Sequence, residues 1–163
     1  MRFILTFLLT GLLISCGSSG DQPDQPGQQE PSEEQLWEEV MATHDEVMPE
    51  MVNINRVSRQ LRKYAEEHPE LASEIREDIS ASVQSLSQAE EAMYEWMNQL
   101  KYRSLEELQR KTDEQEALSY LDREREAIEN VKRQMLTSLE EGERLLESLR
   151  QMEEKEEEKT DSL

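Results

Sequence analysis

The stretch Trp37-Glu38-Glu39-Val40-Met41-Ala42-Thr43-His44-Asp45-Glu46-Val47-Met48-Pro49-Glu50-Met51 decides the fold. Its apolar residues recur every three or four positions, the period of an α-helix with one buried face. The same stripe runs on through Ile54, Leu61 and Ala65, flanked by Met41, Met48, Val57 and Tyr64. Two residues break the pattern: His44 lies on the apolar seam, and Pro49 lies inside the helix. Proline removes one backbone hydrogen bond and crowds the carbonyl four residues back, at a cost of about 3 kcal/mol. The stripe stays in phase across Pro49, which predicts a kink between Asp45 and Pro49 rather than a full break.

Outward from this stretch the chain reads as helix throughout. Ser32 and Gln35 form a capping-box pattern, with Glu33 and Glu34 at the positive end of the helix dipole. Pro69 and the extended preference of His68 end the first helix, and Pro69 also suits the first position of a second. The second carries Ala72, Ile75, Ile79, Leu86, Ala89, Met93, Trp96 and Leu100 and fades near Lys101. Ser104-Leu105-Glu106-Glu107 is a further capping box, predicting a short helix inside the connection. A third long helix is predicted from Glu114 to about Glu154, with Gly142 as a weak spot worth about 1 kcal/mol against alanine. No alternation of period two survives inspection, so the expectation is an all-α fold. Short connections make neighbours antiparallel, which predicts an up-down-up three-helix bundle over residues 32–154. Glu153 to Lys159 is a run of charges expected to fray, and residues 155–163 are expected to be a charged disordered tail.

The N-terminal residues read as an address. Met1-Arg2 is a short basic region, and Phe3 to Ile14 is an apolar run too short to span a bilayer. The run ends at Leu13-Ile14-Ser15-Cys16, which resembles the bacterial lipobox. That resemblance implies a signal peptide over residues 1–15 and lipidation of Cys16, the single cysteine. No intrachain disulfide is then possible. Gly17 to Pro31 is Gly, Ser, Pro, Gln, Asp and one Glu without a large apolar side chain, a flexible linker over residues 16–31. Gly17 after the cysteine favours an outer-membrane destination facing the periplasm.

Charge excludes some partners. With 38 acidic and 18 basic residues, the formal charge is −20. Nucleic acid needs a basic surface, so it is not an expected partner. Anionic headgroups would repel the body of the chain, leaving the lipid on Cys16 as the membrane contact. An envelope protein of unspecified identity is the expected binding partner, with the acidic faces as a candidate surface for its basic segments. The chain is expected as a monomer or as a homodimer joined through a left-over flank of Leu118, Leu136 and Leu146.

One arrangement has chemistry of its own. A turn centred on residues 67–69 makes facing positions of the first hairpin add to about 135 to 138. Met41 then stands level with Met97, His44 with Met93 and Met48 with Ala89, with Trp37 and Trp96 nearby. Thioethers and an imidazole suit a soft cation such as copper(I) or silver(I), and Met41, His44, Met48, Met93 and Met97 are the candidate ligands. The competing reading is core packing, since methionine fills the irregular gaps a kink creates. Enzymatic readings find no foothold. His44 and His68 are the only histidines, and there is no phosphate-binding glycine loop and no serine in a nucleophile turn. The chain is expected not to be an enzyme and to need no resident cofactor beyond that possible copper(I).

His44-Asp45-Glu46-Val47-Met48-Pro49-x-Met51, Ala92-Met93-x-x-Trp96-Met97 and the stretch from Tyr120-Leu121 through Ile128 to Val131 together resemble a group of small Bacteroidota lipoproteins often labelled "viral A-type inclusion protein". The resemblance covers most of the chain. It implies a helical lipoprotein and brings no activity, cofactor or catalytic residue.

Overall fold

The computed structural model describes residues 31–161. The apolar N-terminal run, Cys16 and nearly all of the expected linker lie outside the described residues. The described part is all-α, in five helices: α1 Glu33–Val47, α2 Glu50–Glu67, α3 Ser73–Gln99, α4 Leu105–Lys111 and α5 Glu114–Asp161.

Helix α1 opens on the predicted capping box. Ser32 Oγ accepts from the Gln35 amide at 3.3 Å, and Gln35 Oε1 accepts from the Ser32 amide at 2.9 Å. Pro49 then separates α1 from α2 without reversing the chain. Met48 and Pro49 keep right-handed helical dihedrals, with φ/ψ of −56/−39° and −60/−26°. Across the break the Met51 and Val52 amides donate to the carbonyls of Met48 and Pro49 at 3.2 Å, tighter i→i+3 bonds that bridge the missing proline N–H. The helix is therefore interrupted where the sequence puts the kink.

The turn after α2 differs from the expectation. Pro69 does not open the next helix; α3 begins at Ser73, with Ala72 as a cap that offers no side-chain hydrogen bond. Residues 68–72 form a turn held from within α3. The Arg76 guanidinium donates to the carbonyls of Leu71 at 3.2 Å, His68 at 3.4 Å and Pro69. A wider turn moves the register. Facing positions add to 140 where His44 meets Trp96 and to 145 where Asn55 bonds Glu90, not to the smaller value expected from a turn on Pro69.

Cross-helix pairs set the directions. Glu39–Arg125, Thr43–Glu129 and Glu46–Lys132 are each separated by 86 residues, and Arg56–Glu143 by 87. A constant offset means that α1 and α2 run parallel to α5. Sums that stay close, 140 at His44–Trp96 and 145 at Asn55–Glu90, mean that α3 runs antiparallel to both.

The main core is shared by α1, α2, α3 and α5. It contains Val40, Val47, Ile54, Leu61, Leu86, Met93, Ile128, Met135 and Leu149. Gly142, read from sequence as a weak spot, is buried where α5 crosses α2 and α3. A Cβ there would lie 2.8 Å from Val57 Cγ1 and 3.2 Å from Leu86 Cδ1. The glycine is thus a condition of close packing, and packing outweighs its poor helix propensity.

A second, smaller cluster joins Leu36, Tyr102, Leu108, Ala117, Tyr120 and Leu121 around α4. Helix α4 starts as predicted, with Ser104 Oγ accepting from the Glu107 amide at 3.2 Å. At the other end α5 does not stop near Glu154, and the expected disordered tail is helical as far as Asp161. Glu and Lys are good helix formers and support one another across a turn, so the rod continues beyond its last packed residues. The three residues of the expected dimer flank differ in burial. Leu146 is buried in the main core, Leu118 packs on the second cluster, and Leu136 is 41% exposed.

Candidate functional site

The kink places His44 on the seam between α1 and α3. Its ring centroid lies 5.6 Å from that of Trp96, with the planes tilted by 32°. Its Nδ1 lies 2.9 Å from Asp45 Oδ1. With a proton on Nδ1 directed at that carboxylate, the Nε2 lone pair is the one left over.

The five candidate ligands do not share one environment. Met93 is fully buried in the main core, and Met48 and Met97 pack against it as half-buried neighbours. Met41 is half-buried and stands outside both clusters. His44 lies against Trp96, one turn along α3 from Met93. Among the described residues, no three His, Cys, Asp or Glu side chains converge as a metal site. Thr43, which the sequence reading passed over, is buried and donates to Glu129 Oε1 at 3.0 Å.

Behind Trp96 lies a polar group that the sequence did not mark. Burial raises the Glu124 carboxyl above the ordinary carboxylate range, and the nearby Trp96 N–H and Tyr120 hydroxyl partly oppose this. The Trp96 N–H is buried without a hydrogen bond of normal geometry, so its help to Glu124 is electrostatic at longer range. Tyr120 packs edge-on to Tyr102 at 5.1 Å and accepts from the Lys101 amide at 3.3 Å. Burial, reinforced by the Glu124 charge, raises its hydroxyl too. Four aromatic and acidic groups therefore meet where α3 ends and α5 begins. The signal in the sequence was a tyrosine and an acid one turn apart on α5, indistinguishable from a surface pair.

The other histidine is equally engaged. His68 Nε2 lies 2.9 Å from Glu153 Oε1, and its Nδ1 lies 3.1 Å from Glu70 Oε1. Tyr64 stacks on its ring at 4.3 Å. This cluster ties the α2–α3 turn to the end of α5. The Glu70 carboxyl is held low, first by its own backbone amide and then by His68. The Tyr64 hydroxyl is raised by burial and by Glu153, Glu156 and Glu70.

An open groove of about 630 Å³ lies between α3 and α5, lined by Ser85, Glu91, Glu95, Arg133, Gln134 and Thr137 among others. Its walls mix hydroxyls, amides and short apolar side chains with the charged Glu91, Glu95 and Arg133, and no histidine is among them. Among the described residues no helix is long and apolar enough to cross a membrane. No known family, curated protein or solved structure matches the chain.

Proposed function

We propose that this chain is a lipid-anchored cell-envelope protein whose helical body works by binding or by spacing, not by catalysis. The kinked α1–α2 line, α3 and α5 act as the three rods of an up-down-up bundle, held off the membrane by a linker that follows a lipidated Cys16. The observation that carries the non-catalytic half is the state of the two histidines. His44 is paired with Asp45 and set against Trp96, and His68 lies between two carboxylates on Tyr64. Both take part in structural contacts. The Leu13-Ile14-Ser15-Cys16 pattern and the resemblance to small helical lipoproteins support the anchor and an outer-membrane, periplasm-facing position. Two or more acyl chains make such an anchor firm, whereas one holds weakly.

The test is fractionation after expression in a bacterium with labelled palmitate. The chain is expected in the membrane fraction, carrying label, and Cys16→Ala should release it unlabelled. An unlabelled chain, or one whose fractionation ignores Cys16→Ala, would overturn the anchor.

A second reading is soft-metal binding at Met41, His44, Met48, Met93 and Met97. It is favoured by the free Nε2 of His44, left by the Asp45 pair, beside a seam on which Met48 and Met97 pack. Anaerobic titration with copper(I) against a competing chelator, followed by tryptophan emission, decides it. Stoichiometric quenching lost on His44→Leu would put metal binding first, and a silent titration of the folded chain would reject it.

A further inference from the structure

The polar end of the body carries a cluster whose geometry fits a charged histidine and not a neutral one. His68 has a carboxylate at each ring nitrogen: Glu70 Oε1 lies 3.1 Å from Nδ1, and Glu153 Oε1 lies 2.9 Å from Nε2. A neutral imidazole has one N–H and one lone pair, so at one of these contacts the lone pair would face a carboxylate oxygen. The imidazolium has two N–H groups and answers both. Tyr64 covers the ring, with centroids 4.3 Å apart and planes 28° apart, and a tyrosine face attracts a cation. Among the described residues, neither Glu70 nor Glu153 forms an ion pair with any other side chain.

The groups around the ring are mostly acids. From α2 come Tyr64 and Glu67, the latter paired with Lys63 at 3.5 Å. Glu70 comes from the turn, and α5 brings Glu153 and Glu156; all three charges act on the Tyr64 hydroxyl. The single base of α3 is Arg76, and its guanidinium is spent on the carbonyls of His68, Pro69 and Leu71. The Glu70 carboxyl, held low by its own amide and by His68, stays ionised wherever histidine titrates. The cluster also sits where α5 leaves the core. Met152 is the last α5 residue in the main cluster, and just before it Tyr64 Oη donates to the Leu149 carbonyl at 3.5 Å. Glu153 is the next residue, and the helix continues to Asp161.

We infer that His68 is a proton-operated clasp: as the imidazolium it holds α5 at Glu153 to the α2–α3 turn at Glu70, and on losing a proton it lets residues 153–161 go. Histidine changes charge between about pH 5 and 8, so the clasp is closed on the acid side of that range and open on the alkaline side. The sign follows from the contacts. Removing the proton leaves two carboxylates around a ring with one donor, and the contact that loses its N–H becomes repulsive. Leu149 is fully buried and Met152 packs on the core, so the change is confined to the end of α5. The device controls whether the acidic end of this helix is attached to the body or free, and it stands apart from the anchor and the binding reading above.

The test is amide hydrogen exchange on the full-length chain in non-ionic detergent, at about pH 5.5 and about pH 8.5, corrected for the intrinsic pH dependence of exchange. Residues 153–161 should be about fivefold more protected at the acid pH, the size expected of contacts at a half-exposed site. His68→Gln, which keeps N–H donors and carries no charge, should give the lower protection at both pH values. Glu153→Gln should do the same from the other side of the contact, so the result does not hang on one variant. His44→Gln, at the only other histidine, should leave the difference intact. Protection in α4, at the far end of the body, reports that each chain is folded and should be equal in all of them. Equal protection of residues 153–161 at the two pH values in the unaltered chain would overturn the proposal. So would a difference that survives both His68→Gln and Glu153→Gln, or one that His44→Gln abolishes as completely, since the response would then belong to the whole body.

Discussion

The two ends of the helical body are closed by opposite chemistries. Where α3 hands over to α5, an apolar plug does it: Tyr102, Leu108 and Tyr120 pack with Leu36, Ala117 and Leu121. Where α2 hands over to α3, the closure is polar: Arg76 gathers three turn carbonyls, and His68 joins Glu70 to Glu153. The first removes apolar area from water and is insensitive to salt. The second gains from charge and hydrogen bonds at a half-exposed site, where such gains are modest and screened. The comparison teaches that a bundle end needs its backbone satisfied and its core covered, and that either kind of side chain can do this.

The contrast breaks most readily at the plug. Leu108 is fully buried in a helix of seven residues. Leu108→Ala should destabilise the protein by about 2–5 kcal/mol, read as a lower midpoint in urea, and should release α4. A loss below about 0.5 kcal/mol would show that the plug is not cooperative with the body. Between the two ends, Gly142→Val should cost about 1–3 kcal/mol through overpacking against Val57 and Leu86. Gly142→Ala tests the sign more finely, because about 1 kcal/mol of gained helix propensity opposes the same clash.

At the polar end, Arg76→Ala should cost about 1 kcal/mol and speed amide exchange within residues 68–72. Exchange at Tyr102 and Leu108 should not change if the two closures are independent.

The smallest effect is a pH dependence of opposite sign for two acids. Glu124 is raised in the folded chain by burial, so the folded state holds its proton more tightly than the unfolded state does. Its contribution is full below the ordinary value of 4.5 and is lost as pH rises through its raised folded value. Glu70 is lowered, so its contribution is present above 4.5 and is lost as pH falls through its lower folded value. Stability measured from pH 7 down to pH 3 should therefore lose an acid-favoured component in Glu124→Gln and an acid-labile one in Glu70→Gln. Identical pH profiles for the two variants would dissolve the distinction.

Much of the fold was legible because it follows from local chemistry. Ser32 and Ser104 cap the helices that their capping boxes announce, and Pro49 bends the chain where its missing N–H requires. The candidate site was less legible. Trp37 was read as a seam residue, yet Leu36 is fully buried and Trp37 only half-buried. Near a helix start, a shift of one position rotates a side chain by about 100°, and only a neighbour decides which of two apolar residues turns inward. The register between the helices was less legible for a similar reason. Pro69 was assigned to a helix that in fact begins at Ser73, and the longer turn slid α3 along α2 until Trp96 met the histidine.

The sequence by itself determined the helical class, the kink and two of the caps. Each depends on period, proline chemistry or a side chain reaching its own backbone, all set within a few residues. Only the tertiary structure decided what surrounds those elements. It made Gly142 a packing requirement, brought Glu124 behind Trp96 and placed His68 between two carboxylates. These depend on register between helices, and register is a sum over distant contacts that no local window contains.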